Sequence, residues 1–547
     1  MEMRGEGGDD MQVRQFRQIL LWPLQLMAVD ERRAIELCAQ RLASPDDDNP
    51  WTERANAFDD EATRFQERHY HEFVTFLPSV QRFLYGEGAS GGQPACASPL
   101  RAFRRDDVAR LYVQLRADTE PFEIEVRRVD LYLFHGIDVL TLAIEVYGEN
   151  LSLPTVQDFL HRFGRSHPTQ WEGDSQGLHC PSRVEWRSRD GRTLAASDYE
   201  RREPYLAHVA RYRAPRLAAH WDWLLRPLVD HHSDAPGEAR YRLIEYHRMP
   251  MMVLLAVDRP QKLSRGDFMR LATASAAGDP GIEPQCGIAL DDFELRYCCD
   301  RYWQPQKLDD PGSRYLCTGQ VFCVVGAAED PYLLHREHGL VKQFRHQYFL
   351  LFLIAHFHKA ALLMMSDRLV DAMNHLDIQQ PESVKRFKRK IRKLKEVFLS
   401  FTHRYWFHEI SHQPIAKELY ARCTQQLGTD ALYGEVRDEI EAMDDYLDSD
   451  SLRRQANTVV RLTVVTVFGL IGTVATGFLG MNLLSEAEAP MWRRLGLFAI
   501  VMLLSVGLTF YTITKSKKLS DFLDAVSDER LSARAKWRAL LAVWWPR

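Results

Sequence analysis

The stretch LTVVTVFGLIGTVATGFLGMN, residues 462–482, decides how the rest of this chain is read. Its apolar part runs from about Leu462 to Leu479, and LGLFAIVMLLSVGLTFYTIT follows at 495–514. Each segment is about 18–20 residues, enough for a helix to cross a hydrocarbon core of roughly 30 Å. Lipid leaves backbone polar groups no partner but one another, so both segments are expected to be transmembrane helices. Gly480-Met481-Asn482 closes the first and opens a short loop. That placement sets a neutral amide oxygen at the mouth of a membrane hairpin, where an ion would enter.

Lysine and arginine orient the hairpin. Arg453, Arg454 and Arg461 precede the first segment, and Lys515, Lys517 and Lys518 follow the second. Both flanks are therefore expected on the cytoplasmic side of an inner or plasma membrane, with the 483–494 loop outside, although Arg493 and Arg494 oppose the rule. Val459, Leu462, Thr466, Leu470, Thr473 and Gly477 recur at spacings of three and four and mark one helix face. Such a face serves either close helix packing or a pore lining, with hydroxyls toward a hydrated ion and Leu470 as an apolar constriction. Asn482 would then act as an entry filter, because magnesium keeps much of its water and a neutral amide can bond that water without gripping the ion. Gly480 permits the tight turn, and Glu486 and Glu488 raise the local cation concentration.

The 547 residues exceed one simple domain. Charged residues make up 27 % and the net charge is −5, so the membrane part is a minority of the mass. Nine cysteines form no CxxC pair, which fits a reducing cytosol. ILLWPLQLM at 19–27 is short, is interrupted by Pro23 and lacks a cleavage site, so it is expected to begin a soluble domain. Residues 1–12 are expected to be disordered, and 13–335 to form a large cytosolic α/β or α+β domain. Val129–Phe134 and Val139–Tyr147 read as an antiparallel hairpin around 135–138. A helical region is expected over 336–413, in which 349–365 reads as a buried core helix. Ser383–Leu399 reads as a basic amphipathic helix, with Val384, Phe387, Ile391, Leu394 and Phe398 on one face. From Pro414 to Asn482 the pattern predicts a stalk helix continuing into the first membrane helix, with a weak point at Gly428. The second span is expected at 495–514 and a basic cytosolic tail at 515–547. About 65 residues at ~1.5 Å each make a rod on the order of 100 Å, which needs partners.

The paired helices, Gly480-Met481-Asn482, Gly477 one turn earlier, the short acidic loop and the lysine-bearing end resemble the CorA-type divalent metal-ion channels. The acidic run from Leu432 to Asp450 is similar to that family's stalk. The resemblance implies a homopentamer with a funnel-shaped cytosolic domain, the first membrane helices lining the pore and the second forming an outer ring. It implies Gly480, Met481 and Asn482 as selectivity filter, and Leu462, Leu470, Thr473 and Gly477 among the pore-lining positions. It also implies Asp444 and Asp445 as candidates for regulatory cation contacts. The transported ion it implies is magnesium, with cobalt, nickel or zinc as the alternatives, and no other cofactor. The chain departs from the family at Phe468-Gly469, where a proline is common, and at Leu483, where an aromatic is common.

Rival readings come from other classes. His408-Glu409-Ile410-Ser411-His412 fits HExxH, which on a helix puts two histidines on one face beside a base. Pro414 breaks such a helix just afterwards, and no third ligand follows in a helical setting. A non-conducting membrane-anchored scaffold or sensor is another alternative. No phosphate-binding loop or nucleophile elbow is present, so ATP-driven transport within the chain is not expected, and the chain is read as a transporter, not an enzyme. No groove-reading motif points to nucleic acid. The expected partners are the lipid bilayer, divalent cations and further copies of the chain.

Overall fold

The computed structural model describes the chain except for residues 1–10, 28–33, 46–48, 55–66, 89–97, 173–175, 245–247, 280–281, 283, 285–288, 305–311, 336–337, 378–379, 481–489, 497, 508–510 and 512–547. The chain divides into two compact units, 1–438 and 439–547.

The first unit is built on strand Gln12–Met27, whose apolar run is nearly continuous because both of its faces are covered. It pairs antiparallel with Val139–Ser152 from Gln12 to Gln25. Its other edge changes partner along its length. Val13 to Leu20 pair with strand Met251–Val257, and Leu24 to Met27 pair with strand Arg240–Leu243. Pro23, which has no N–H to offer, sits in the gap between those two partners, so a proline is tolerated in a central strand. Residues 19–27 thus lie inside the central strand of the sheet.

Among the described residues the sheet has 14 strands. Its main path runs Thr193–Ala196, Arg183–Arg187, Arg110–Gln114, Phe122–Phe134, Val139–Ser152, Gln12–Met27, Met251–Val257, Val321–Ala327, Arg314–Cys317, Cys298–Cys299. Met251–Val257 and Val321–Ala327 are parallel, and the other neighbours on this path are antiparallel. The hairpin expected around 135–138 is present, with longer strands than its apolar alternation marks.

Aromatic clusters cover the sheet. In one, Trp22 meets Trp221 edge-on at 6.0 Å, and Phe163 and Trp186 pack beside Trp221 at 5.5 and 5.6 Å. In another, Phe134 stacks on Phe357 at 3.8 Å, with Phe83 and Tyr405 around them. Phe357 belongs to helix Phe349–Asn374. The stretch Leu340–Asn374 is apolar and long enough to span a bilayer, but 78 % of its most apolar window is buried inside the protein. It is the core helix of the helical layer. Helix Pro381–Arg404 lies with it and buries Phe387, Ile391, Leu394, Phe398 and Phe401.

A single buried carboxylate fastens the two layers. Glu145, with no side-chain exposure, receives Arg17 at 3.0 Å, Arg128 at 3.0 Å and Arg345 at 2.6 Å. Arg345 lies in a π-helical turn, Phe344–Tyr348, immediately before the core helix. Burial alone opposes ionisation of Glu145, but Arg128, Arg345 and Arg17 outweigh it and hold its carboxyl below the usual range.

The predicted continuous stalk from Pro414 is broken. Helix Pro414–Leu427 ends at Gly428, whose φ of 66° is left-handed, and a second helix runs over Thr429–Gly480. Glycine takes that conformation without the Cβ clash that limits other residues. Within the first unit, Tyr433 of the second helix stacks on Trp406 at 4.6 Å and Phe398 at 5.3 Å.

Glu145→Gln leaves three guanidiniums around a neutral amide. We expect it to cost about 3–5 kcal/mol, the usual penalty for breaking a buried ion pair, measured by denaturant unfolding of the full-length protein. In the wild type the carboxylate's contribution is complete above its unfolded pKa of about 4.3 and is lost as pH falls through the lower folded value. A variant as stable as wild type at neutral pH would refute this role.

Candidate functional site

In the second unit the long helix presents two distinct faces. Val464 is buried, and Phe468, Gly472 and Thr476 are half-buried, each four residues after the last. Val459, Leu462, Thr466, Leu470, Thr473 and Gly477 are all exposed in the single chain. At 100° per residue the two sets are centred about 140° apart. The six residues singled out from spacing therefore share a face that the chain's own packing leaves uncovered.

At Gly472 this face meets the second hydrophobic helix. A Cβ on Gly472 would lie 3.5 Å from Ser505 Oγ and 3.7 Å from Ser505 Cβ. Glycine thus lets the two backbones approach closely, as small residues do where helices pack in lipid. Gly472 and Thr476 lie off the face that the spacing of three and four marks. The repeat of four through 464, 468, 472 and 476 is the signal that identifies them as the packing seam. On the second helix, Phe498, Ile500, Met502, Leu503, Leu504 and Val506 are exposed and apolar.

The threonine hydroxyls turn back on their own helix. Thr463 donates to the Val459 carbonyl at 2.9 Å, Thr466 to Leu462 at 2.7 Å, Thr473 to Gly469 at 2.9 Å and Thr476 to Gly472 at 2.9 Å. The donor of each hydroxyl is used, while its oxygen keeps lone pairs that can accept. On the exposed face Thr466 and Thr473 are therefore acceptors for whatever lies against them.

The helix ends at Gly480, which is exposed. Met481, Asn482, Glu486 and Glu488 lie outside the described residues. Asp444 is half-buried and Asp445 exposed on the long helix. Among the described residues no three His, Cys, Asp or Glu side chains converge as a metal centre.

The HExxH sequence is not on a helix. Helix Pro381–Arg404 has ended, the next begins at Pro414, and Ser411 forms an isolated β-bridge with Phe76. The i, i+4 geometry that would aim His408 and His412 at one metal is therefore missing. Glu409 is committed to Lys417 at 2.5 Å, which holds its carboxyl below the usual range. The remote metalloprotease reading is corrected on these grounds.

Residues 371–516 match the family described as CorA-like Mg2+ transporter protein. This segment is CorA-like. The match spans the end of the core helix, the basic helix, helix Pro414–Leu427, the long helix and the whole of the second hydrophobic segment. No curated protein and no solved structure matches the chain. The likeness to that family is confined to this segment, which is about a quarter of the chain. The large α/β unit before it lies mostly outside the match.

Two tests follow from the geometry of the CorA-like segment. The 3.7 Å spacing falls within the Cβ range of a disulfide. Gly472→Cys combined with Ser505→Cys should therefore give a linked peptide pair by mass spectrometry after mild oxidation. Its absence would show that the two helices pack elsewhere. Glu409→Gln, in turn, should leave zinc content and transport unchanged, and a loss of either would restore a metal role to the motif.

Proposed function

We propose that the chain forms a homopentameric pore conducting divalent cations across the inner or plasma membrane, with magnesium as the principal ion. The observation that carries this reading is the CorA-like match over 371–516, which includes a helix with one uncovered face carrying Thr466, Thr473 and Gly477 beside Val459, Leu462 and Leu470. The long helices line the pore, and the second helices form an outer ring toward lipid. Both termini lie in the cytoplasm.

The chemistry follows from magnesium's reluctance to dehydrate. Gly480, Met481 and Asn482 form the filter at the outer mouth, where a ring of amide oxygens accepts hydrogen bonds from the ion's water. Glu486 and Glu488 concentrate cations there. Below, Thr466 and Thr473 accept from the same hydration shell, and Val459, Leu462 and Gly477 complete the lining. Leu470 forms an apolar ring that closes the path by dewetting. An inside-negative potential drives entry, at about 4.6 kcal/mol per 100 mV for a doubly charged ion. Asp444 and Asp445 act as cytosolic cation contacts that favour the closed state. Zinc, cobalt and nickel are the competing cargoes.

Flux into liposomes across a panel of magnesium, cobalt, nickel and zinc tests the reading. Wild type should pass magnesium fastest. Asn482→Ala should lower that flux by about tenfold, corresponding to about 1.4 kcal/mol at the filter, whereas Leu470→Asn should raise the resting leak. A wild type without flux, or an Asn482→Ala variant that conducts normally, would reject the pore and favour a non-conducting scaffold or sensor.

A further inference from the structure

The first unit carries a cationic cluster that plays no part in the proposed conduction. Helix Leu153–Arg162 ends in His161 and Arg162, and Arg165 follows within a turn. Arg248 comes from the segment before strand Met251–Val257, and His179 from a loop where its φ is 61°. Arg165 Nε and Arg248 Nη2 both donate to the His161 carbonyl, at 3.1 and 3.4 Å. Arg248 Nη1 donates to the Thr273 carbonyl at 2.9 Å, and Arg162 Nη1 to the Cys180 carbonyl at 3.1 Å.

These carbonyls satisfy N–H groups at helix and loop ends, but they cancel no charge. Among the described residues no carboxylate forms an ion pair with Arg162 or Arg248. The buried Nε atoms of Arg162 and Arg248 have no hydrogen-bond partner. The nearby Asp158 is already used by Arg116 at 2.7 Å and by the Ala277 amide at 3.1 Å.

The two histidines register the resulting field. His161 Nδ1 lies 3.1 Å from the Ala274 carbonyl and 3.4 Å from Arg248 Nη2, and its Nε2 lies 3.1 Å from His179 Nδ1. Burial, with Arg165 and Arg248 beside it, pushes His161 down to about 4. Burial and the guanidiniums of Arg165, Arg162 and Arg248 also lower His179, against a weaker pull from Glu172. His161, Arg162, His179 and Arg248 are only partly buried, so solvent reaches the cluster.

We propose that this cluster binds a phosphate-bearing anion. A phosphoryl group brings to Arg162 and Arg248 the ion-paired negative charge that no carboxylate among the described residues provides. Its several oxygens suit forked guanidiniums arriving from separate elements, which point charges on flexible stems would match less well. The inference stands apart from the pore: the readout is binding, and it holds whether or not the chain conducts.

The test uses full-length protein in detergent, in metal-free buffer so that chelation does not enter, at ionic strength fixed with sodium chloride. Pyrophosphate and inorganic phosphate are titrated separately while thermal unfolding and calorimetric heat are recorded. Wild type should gain thermal stability with saturation. A preference for pyrophosphate assigns an oligophosphate ligand, and an equal response assigns a single phosphoryl group. Arg248→Gln should weaken binding at least about tenfold, a loss of about 1.4 kcal/mol. His179→Asn keeps a residue tolerant of left-handed backbone and should weaken binding in the same direction, providing a second variant should Arg248→Gln misfold. Arg110→Gln, which removes an exposed pairing with Glu123, should bind as wild type. No saturable effect in wild type, or equal binding by folded Arg248→Gln and His179→Asn, would overturn the proposal.

Discussion

One carboxylate holds the first unit together. Glu145 sits on a strand in the middle of the sheet, and its three arginine partners come from the central strand, from the neighbouring strand and from the π-helical turn that starts the helical layer. A buried charge of this kind tolerates no slippage. Moving the π-turn by one residue would withdraw Arg345 and put another side chain against a desolvated oxygen. The register of the core helix on the sheet is fixed by this ionic contact as well as by the stacking of Phe134 on Phe357. The turn's other polar residues add to the same anchorage, His346 on Glu72 at 3.1 Å and Gln347 on Thr75 at 2.9 Å.

What the sequence discloses depends on how local each determinant is. The hairpin around 135–138 was legible because alternation, a turn and a second alternation lie within about twenty residues. The basic helix was legible because its apolar stripe repeats at 3.6, and the core helix because histidines and Lys359 interrupt an otherwise apolar run. Glu145 was not legible. In Ala-Ile-Glu-Val-Tyr it reads as the outward polar member of a strand, and its partners Arg17 and Arg345 lie 128 and 200 residues away in sequence. Pro23 likewise argues against a central strand until the change of partner along that edge is seen.

The candidate site divides in the same way. Spacing alone picked out the face holding Leu462, Thr466, Leu470 and Thr473, and the fold leaves that face uncovered. Spacing did not pick out the seam through Gly472, because glycine carries no hydropathy signal and its role lies in what it lets approach. HExxH failed for the complementary reason. A motif whose meaning requires helical geometry carries none where the backbone is not helical, and Pro414 already marked that boundary. The cationic cluster around His161 is assembled from helix ends and loops far apart in the chain, where no periodicity operates.

The threonine back-bonds have one further consequence. A hydroxyl whose proton is tied to a carbonyl four residues earlier shows its surroundings only the negative end of its dipole. In a conduit walled by Thr466 and Thr473, chloride or phosphate would find no hydroxyl donor to replace the water it sheds, while a metal's hydration shell finds acceptors. In the proposed pore such a wall would sort ions by sign without a single charged side chain, and because a threonine hydroxyl does not ionise near neutral pH, that sorting would not change with pH.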